Sequence, residues 1–359
     1  MQSELKKILT QKNLKGKMIQ IDDTIIRELI YHRISLDNNN QVLNEALYDF
    51  SNDEEEVVLK KIFLKPFLSV AATYEFTHEI DIDLNPLYKL SESIFEGSDF
   101  ISQTKNICQH LKSVSKHPNI KDGDLFIMRF DNINFNNELC KGLGIYKIEN
   151  KENFIETTKY FNGEAGLTFR KVIGSKRLDK ACLILFTEKP YTVFTIDNTN
   201  NETDYWQNEF IKVKLKNDGV NSTNQFLSMA KSFVTKQFPS EFETTKAGQI
   251  DLLNRSVEYF KKNESFDKQS FEQEVFQDNE VIKSFQNFDS KYRQENEIDI
   301  ADDFLISSQA VKKQARVFKS VLKLDKNFHI YIHGDHELIK QGVETHGRKF
   351  YKIYFETES

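Results

Sequence analysis

The stretch HIYIHGDH, from His329 to His336, puts histidine and aspartate close enough for metal or proton chemistry, and four of the chain's eight histidines lie between His329 and His346. Imidazole ligates metals and titrates near neutrality. The period of two in this run places Phe328, Ile330 and Ile332 on one strand face and His329, Tyr331 and His333 on the other. At a strand's rise His329 and His333 are roughly 13 Å apart, too far to share an ion bound at about 2 Å from each nitrogen. His333, Asp335 and His336 can converge around the turn at Gly334 and are the candidate ligands, but a solvated turn is the commoner use of such a group. No metal and no cofactor is expected. A second candidate is THEIDIDLN, where strand spacing aligns Glu79, Asp81 and Asp83 on one face. Carboxylates in a row can hold Mg²⁺ for a nuclease. Nothing in the spacing supplies the further Lys or acid such a site uses, so a solvated sheet face is the plainer reading. GLGIYK lacks the third glycine and the Lys-Ser/Thr pair of a phosphate loop, and no GxSxG occurs. A binding protein is expected, not an enzyme.

Two basic concentrations carry more. In AVKKQARVFKSVLKL, a helical wheel sets Lys312, Arg316, Lys319 and Lys323 at about 0°, 40°, −20° and 20°, with Val311, Ala315, Val317, Phe318, Val321 and Leu322 opposite. That predicts a helix over residues 309 to 324 with one packing face and one basic ridge about 16 Å long, flanked by Lys313 and Lys326. Cations in line can track a phosphate backbone. FRKVIGSKRLDK gathers Arg170, Lys171, Lys176, Arg177 and Lys180 around Gly174, the pattern of a basic hairpin tip.

These groups need elements to hold them. With 359 residues, 39% hydrophobic residues and 30 Phe, the chain can build sizeable cores in more than one unit. No window reaches the roughly 18 apolar residues of a membrane span, and the opening MQSELKKILTQKNLKGK lacks a signal-peptide core, so a soluble cytoplasmic protein without membrane partners is expected. Cys108, Cys140 and Cys182 form no CxxC pair and are expected reduced. The net charge is −6, unevenly spread: residues 241 to 303 hold 16 acidic against 8 basic residues, and residues 304 to 359 hold 10 basic against 6 acidic. A basic terminal segment follows an acidic helical one.

The fold expectation is α+β: a mixed N-terminal α/β part with antiparallel strands over 1 to 215, a helical module over 216 to 308, and a basic helix with a C-terminal β-hairpin region over 309 to 359. A helix is predicted from Phe100 to Val114, whose apolar positions fall on one arc, and strands at KDGDLFIMRFD, CKGLGIYKIEN and YTVFTID. In the helical module Phe226, Ala230, Phe233 and Val234 share a face, as do Ile250, Leu253, Val257 and Phe260, and Val281, Phe285, Phe288 and Tyr292.

The ending LKLDKNFHIYIHGDHELIKQGVETHGRKFYKIYF resembles the C-terminal signature of the bacterial nucleoid-associated protein family (NdpA-like). FISQTKNICQHLKSVSKHPNIKDGDLFIMRFD and LLNRSVEYF follow the same order. The resemblance implies association with the bacterial chromosome, binding of double-stranded DNA with little sequence preference, and contact with DNA-topology proteins; it supplies no catalytic residue. The combined expectation is a nucleoid-associated, homo-oligomeric DNA-binding protein using the basic helix and hairpin. The alternatives are a protein-interaction adaptor that reaches the nucleoid through a partner, and a metal-dependent nuclease or hydrolase.

Overall fold

The structure is a computed structural model that describes residues 18–35, 40–70, 72–159, 165–174, 177–199, 205–316, 318, 321–332 and 338–357. The chain divides into two compact units, one of Lys17–Lys216 and one built on Asn217–Ser359.

The first unit is organised on antiparallel strands: β1 (Ile19–Gln20), β2 (Ile25–Ile34), β3 (Val42–Leu43), β4 (Tyr74–Phe76), β5 (Gly123–Phe135), β6 (Glu138–Ile148), β7 (Glu152–Lys159), β8 (Ala165–Val172), β9 (Lys180–Leu185), β10 (Thr192–Asp197) and β11 (Val213–Leu215). Nine of them form one sheet in the order β11-β4-β10-β9-β6-β5-β2-β3, with β1 also on β5, while among the described residues β7 and β8 pair with each other alone. The segments 125–128 of β5, 143–146 of β6 and 181–185 of β9 carry no charged side chain, as suits strands covered on both sheet faces. Helix α1 spans Asp53–Leu59, and on one face of the sheet helix α2 (Pro86–Phe95) and helix α3 (Phe100–Val114) pack with Leu125, Ile127, Ile145 and Ile184. On the other, Phe63 lies 4.6 Å from Tyr146 and 5.2 Å from Phe126, ring to ring. Helix α3 has the predicted bounds; Asp99 caps it by accepting from Ser102 N at 2.7 Å, and Ile107, Cys108 and Leu111 are buried.

The glycines of GLGIYK serve packing inside β6. A Cβ at Gly142 would lie 2.7 Å from Ile133 Cδ1, and one at Gly144 would strike the Tyr146 ring. The acidic row of THEIDIDLN does not form. The strand ends at Phe76, the chain bends, and Ile82–Leu84 is a 3-10 turn capped by Asp81, whose Oδ1 accepts from Asp83 N at 2.9 Å. A side chain that short finds a nearby backbone N–H more readily than a ladder position, which breaks the period of two. Glu79, Asp81 and Asp83 therefore share no strand face.

The second unit surrounds a phenylalanine-rich core. Helices α4 (Gly219–Ser232), α5 (Lys246–Lys262) and α6 (Asn279–Glu295) bury Phe226, Phe260 and Phe285, joined by Phe233, Phe266, Phe271 and Phe276. Strands β12 (Ser265–Asp267) and β13 (Asp303–Leu305) pair within it. A shorter helix, α7 (Ser308–Ala315), packs Ala310 and Val311 inward. Two hairpins close the chain: β14 (Val321–Leu324) with β15 (Phe328–Tyr331), and β16 (Ile339–Val343) with β17 (Lys349–Ile353). This mixed α+β architecture, with N-terminal strands, a central helical part and C-terminal β elements, matches the predicted class.

Candidate nucleic-acid interface

The predicted helix over 309 to 324 is two elements. α7 ends at Ala315 with Arg316 as its C-cap, and Val321–Leu324 is a strand. VLKL alternates, so as a strand it buries Leu322 and half-buries Leu324 while Lys323 faces outward. Asp325 takes φ +51° in the turn, and the strand pairs Leu322 with Ile330 and Lys323 with His329. Continuing the helix would leave the backbone of residues 328 to 331 without a ladder partner. Lys323 is thus not on one helix face with Lys312 and Arg316. Lys312, Lys313, Arg316, Lys323 and Lys326 are all exposed, and among the described residues none of them is in an ion pair. Lys319 lies outside the described residues.

The basic group around Gly174 is not a hairpin tip. Gly174 sits in the connection from β8, which pairs with β7, to β9, which pairs with β6 and β10. Its cations are largely engaged: Arg170 pairs with Glu156, and Arg177 donates to the Asn198 carbonyl. Lys171 is exposed beside Asp122 and Lys151, and Lys176 lies outside the described residues.

Lys180 is fully buried, a position from which an ammonium cannot reach a phosphate. It donates to Asp197 Oδ2 at 2.6 Å and Thr199 Oγ1 at 2.7 Å. Its cross-strand neighbour Lys147, also fully buried, donates to the Lys121 carbonyl at 2.7 Å, Glu149 Oε1 at 2.8 Å and the Tyr205 hydroxyl at 3.1 Å. Burial lowers the Lys147 pKa against the opposing pull of Glu149, and burial raises that of Tyr205. Beside this group is a cavity of about 470 Å³ lined by Glu149, Asn150, Asp179, Arg177 and Asn198.

His329 and His346 are exposed, whereas His333, Asp335 and His336 lie outside the described residues. Of the predicted inward face, Ile332 is buried and Ile330 half-buried, but Phe328 is exposed. Among the described residues no three His, Cys, Asp or Glu side chains gather as a metal site would require. The three cysteines are free, with burial pushing the Cys108 thiol up to about 12 and the Cys140 thiol up to about 11. Among the described residues no helix is long and apolar enough to cross a membrane.

One cationic row escaped the sequence reading. In β16–β17 the lysines Lys340 and Lys352 stand directly opposite one another, and their Nζ atoms lie 5.6 and 4.8 Å from the centre of the Tyr354 ring. The period-two series Arg348, Phe350, Lys352, Tyr354 was its available signal.

No curated protein matches the chain. The profile of a family described as nucleoid-associated protein YejK matches residues 30–350, a span reaching through both units, and the chain belongs to that family.

Proposed function

We propose that this nucleoid-associated chain contacts double-stranded DNA directly and without reading its sequence, through the cations of α7 and the β14–β15 hairpin. The observation that carries this is the state of Lys312, Lys313, Arg316, Lys323 and Lys326: exposed and, among the described residues, without an acidic partner. Elsewhere cations such as Arg27, Lys105, Arg129 and Arg293 are paired. Unpaired ammonium and guanidinium groups release counterions from DNA without first breaking an internal pair, and phosphate contacts position a protein without specifying bases. Lys319 and Lys176 remain candidates of the same kind, Arg170, Lys171 and Arg177 are secondary contacts, and Lys180 is structural. The activity is binding, with no catalytic step, at the bacterial nucleoid.

The test is fluorescence anisotropy of a labelled 30-base-pair duplex across a salt series. If four phosphates are neutralised, log K falls with log[salt] at a slope of about −3.6. Failure of the wild type to bind at low salt would overturn the reading.

A second reading, an adaptor that reaches the nucleoid through protein partners such as DNA-topology proteins, is favoured by an apolar cleft in the first unit. Leu29, Tyr31, Val58, Leu59 and Phe126 line about 460 Å³ beside Glu54 and Glu55. Self-association is favoured by the β7–β8 ribbon, which exposes Ile155, Leu167 and Phe169, apolar side chains that a lone two-stranded ribbon cannot cover. Light scattering of the purified chain reads that directly: a monomer at all concentrations would reject the homo-oligomer.

A further inference from the structure

The β16–β17 hairpin has two unlike faces. Ile339 and Tyr351 turn inward against Leu322 and Ile332 of the preceding hairpin and Ala247 and Ile250 of α5. The opposite face carries Lys340, Lys352, Phe350 and Tyr354, as strand alternation and the pairings Lys340 with Lys352 and Gly342 with Phe350 require. Tyr354 extends this ladder by donating its N–H to the Leu338 carbonyl at 2.8 Å, and the Glu344 N–H donates to the Arg348 carbonyl at the other end.

Three features of the outer face point to a ligand. Directly opposed like charges destabilise a strand pair, yet Lys340 and Lys352 are opposed and, among the described residues, no acidic side chain pairs with either. Both ammonium groups gather over the Tyr354 ring, and a hydrogen bond from Lys352, joined by the charges of Lys352 and Lys340, lowers the phenol's pKa. The Phe350 ring reaches over Gly342, where a Cβ would collide with it, and the residue remains 43% exposed. The face therefore carries an aromatic and a cation along β17, Phe350 and Lys352 at about 6.8 Å per two residues, with Arg348 just before the strand and opposite Glu344.

We propose that this face binds an unpaired nucleic-acid strand, with Lys340, Lys352 and Arg348 on its phosphates and one base stacked on Phe350. Paired bases hide their faces within the duplex stack, so an outward aromatic ring among cations is usable only by a base that is free to leave one. A duplex would engage the lysines and leave Phe350 idle. The proposal takes its class of partner from the DNA-binding reading above and adds to it a second, strand-selective site.

The test uses the full chain with two labelled probes, a dT20 oligonucleotide and a 30-base-pair duplex, at one fixed salt concentration. Phe350→Ala should weaken dT20 binding about tenfold and duplex binding less than twofold. Phe350→Trp should restore dT20 binding, which guards against a mere folding defect. Lys340→Gln with Lys352→Gln should weaken dT20 binding as well. Absence of dT20 binding by the wild type, or equal losses on both probes from Phe350→Ala, would overturn the proposal. Duplex binding lost while dT20 binding persists would strike only the α7 reading, and the reverse pattern only this one.

Discussion

Lys147 and Lys180 stand directly across from each other on β6 and β9, both fully buried, with the Tyr205 ring shared between them at 5.7 and 4.9 Å. Two like charges can occupy adjacent ladder positions here because each has its own carboxylate, Glu149 for Lys147 and Asp197 for Lys180. The pairs differ in one respect. The Glu149 side chain is as buried as its lysine, whereas Asp197 is 31% exposed.

Unequal costs follow from that difference. Lys147→Met leaves a carboxylate buried and unpaired and should destabilise the chain by about 3–5 kcal/mol. Lys180→Met should cost less, because Asp197 can rehydrate, and Lys147→Met with Glu149→Gln should recover part of the first loss. Urea denaturation of the three variants gives the order. A stable Lys180→Met protein with weakened DNA affinity would instead return Lys180 to the interface.

Charge reversal at Lys312, Arg316, Lys319 and Lys323 should abolish duplex binding in the anisotropy assay. For the described members of this set the stability change should stay within about 0.5 kcal/mol per site, since exposed charges contribute little to folding. A large fall in the thermal midpoint would show that these residues support the fold.

His32 should make stability depend on pH. Its Nδ1 accepts from Asn44 N at 3.1 Å and its Nε2 lies 3.1 Å from Thr104 Oγ1, an arrangement that suits the neutral ring. Burial, aided by Lys105, depresses its pKa to about 4. The unfolded chain then binds more protons than the folded one between about pH 6.5 and 4, so stability should fall as pH drops through that window. His32→Gln should flatten this part of the midpoint-against-pH curve while lowering its neutral-pH plateau; an unchanged slope would refute the assignment.

Phe226 contacts four rings, with Phe266 at 4.2 Å, Phe271 at 4.9 Å, Phe260 at 5.9 Å and Phe285 at 6.0 Å between centroids. Phe226→Ala should cost about 3–5 kcal/mol by loss of burial and cavity formation. Calorimetry should show the transition of the second unit displaced and that of the first unit little changed.

Helix α3 was readable because its apolar arc is a local property of consecutive residues, and the structure adds its Asp99 cap. The apolar faces of α4 with its π-helical continuation and of α5 were readable for the same reason: Phe226, Ala230, Phe233 and Val234, and then Ile250, Leu253, Val257 and Phe260, all turn inward. The β5 and β6 runs declared themselves as segments opened by turn signals, and YTVFTID continued the strand-rich character into β10. A helix was misplaced where two periodicities coincide. AVKKQARVFKSVLKL satisfies a helical wheel throughout, but its last residues also alternate, and the choice fell to a strand partner beyond the Asp325 turn.

By itself the sequence determined what depends on neighbours along the chain: the α+β class, the core faces of the long helices, the surplus of cations after residue 304, and the family signature of the tail. Tertiary structure alone decided which cations meet solvent. Nothing near Lys180 in RLDKACLILF announces a buried ammonium, since its burial depends on Asp197, Thr199 and Tyr205 arriving from later in the chain. Nor does Lys340 announce Lys352, because only the pairing of β16 with β17 sets the two opposite each other. Charge is written residue by residue, but its availability to a partner depends on desolvation and pairing, which are properties of the assembled fold.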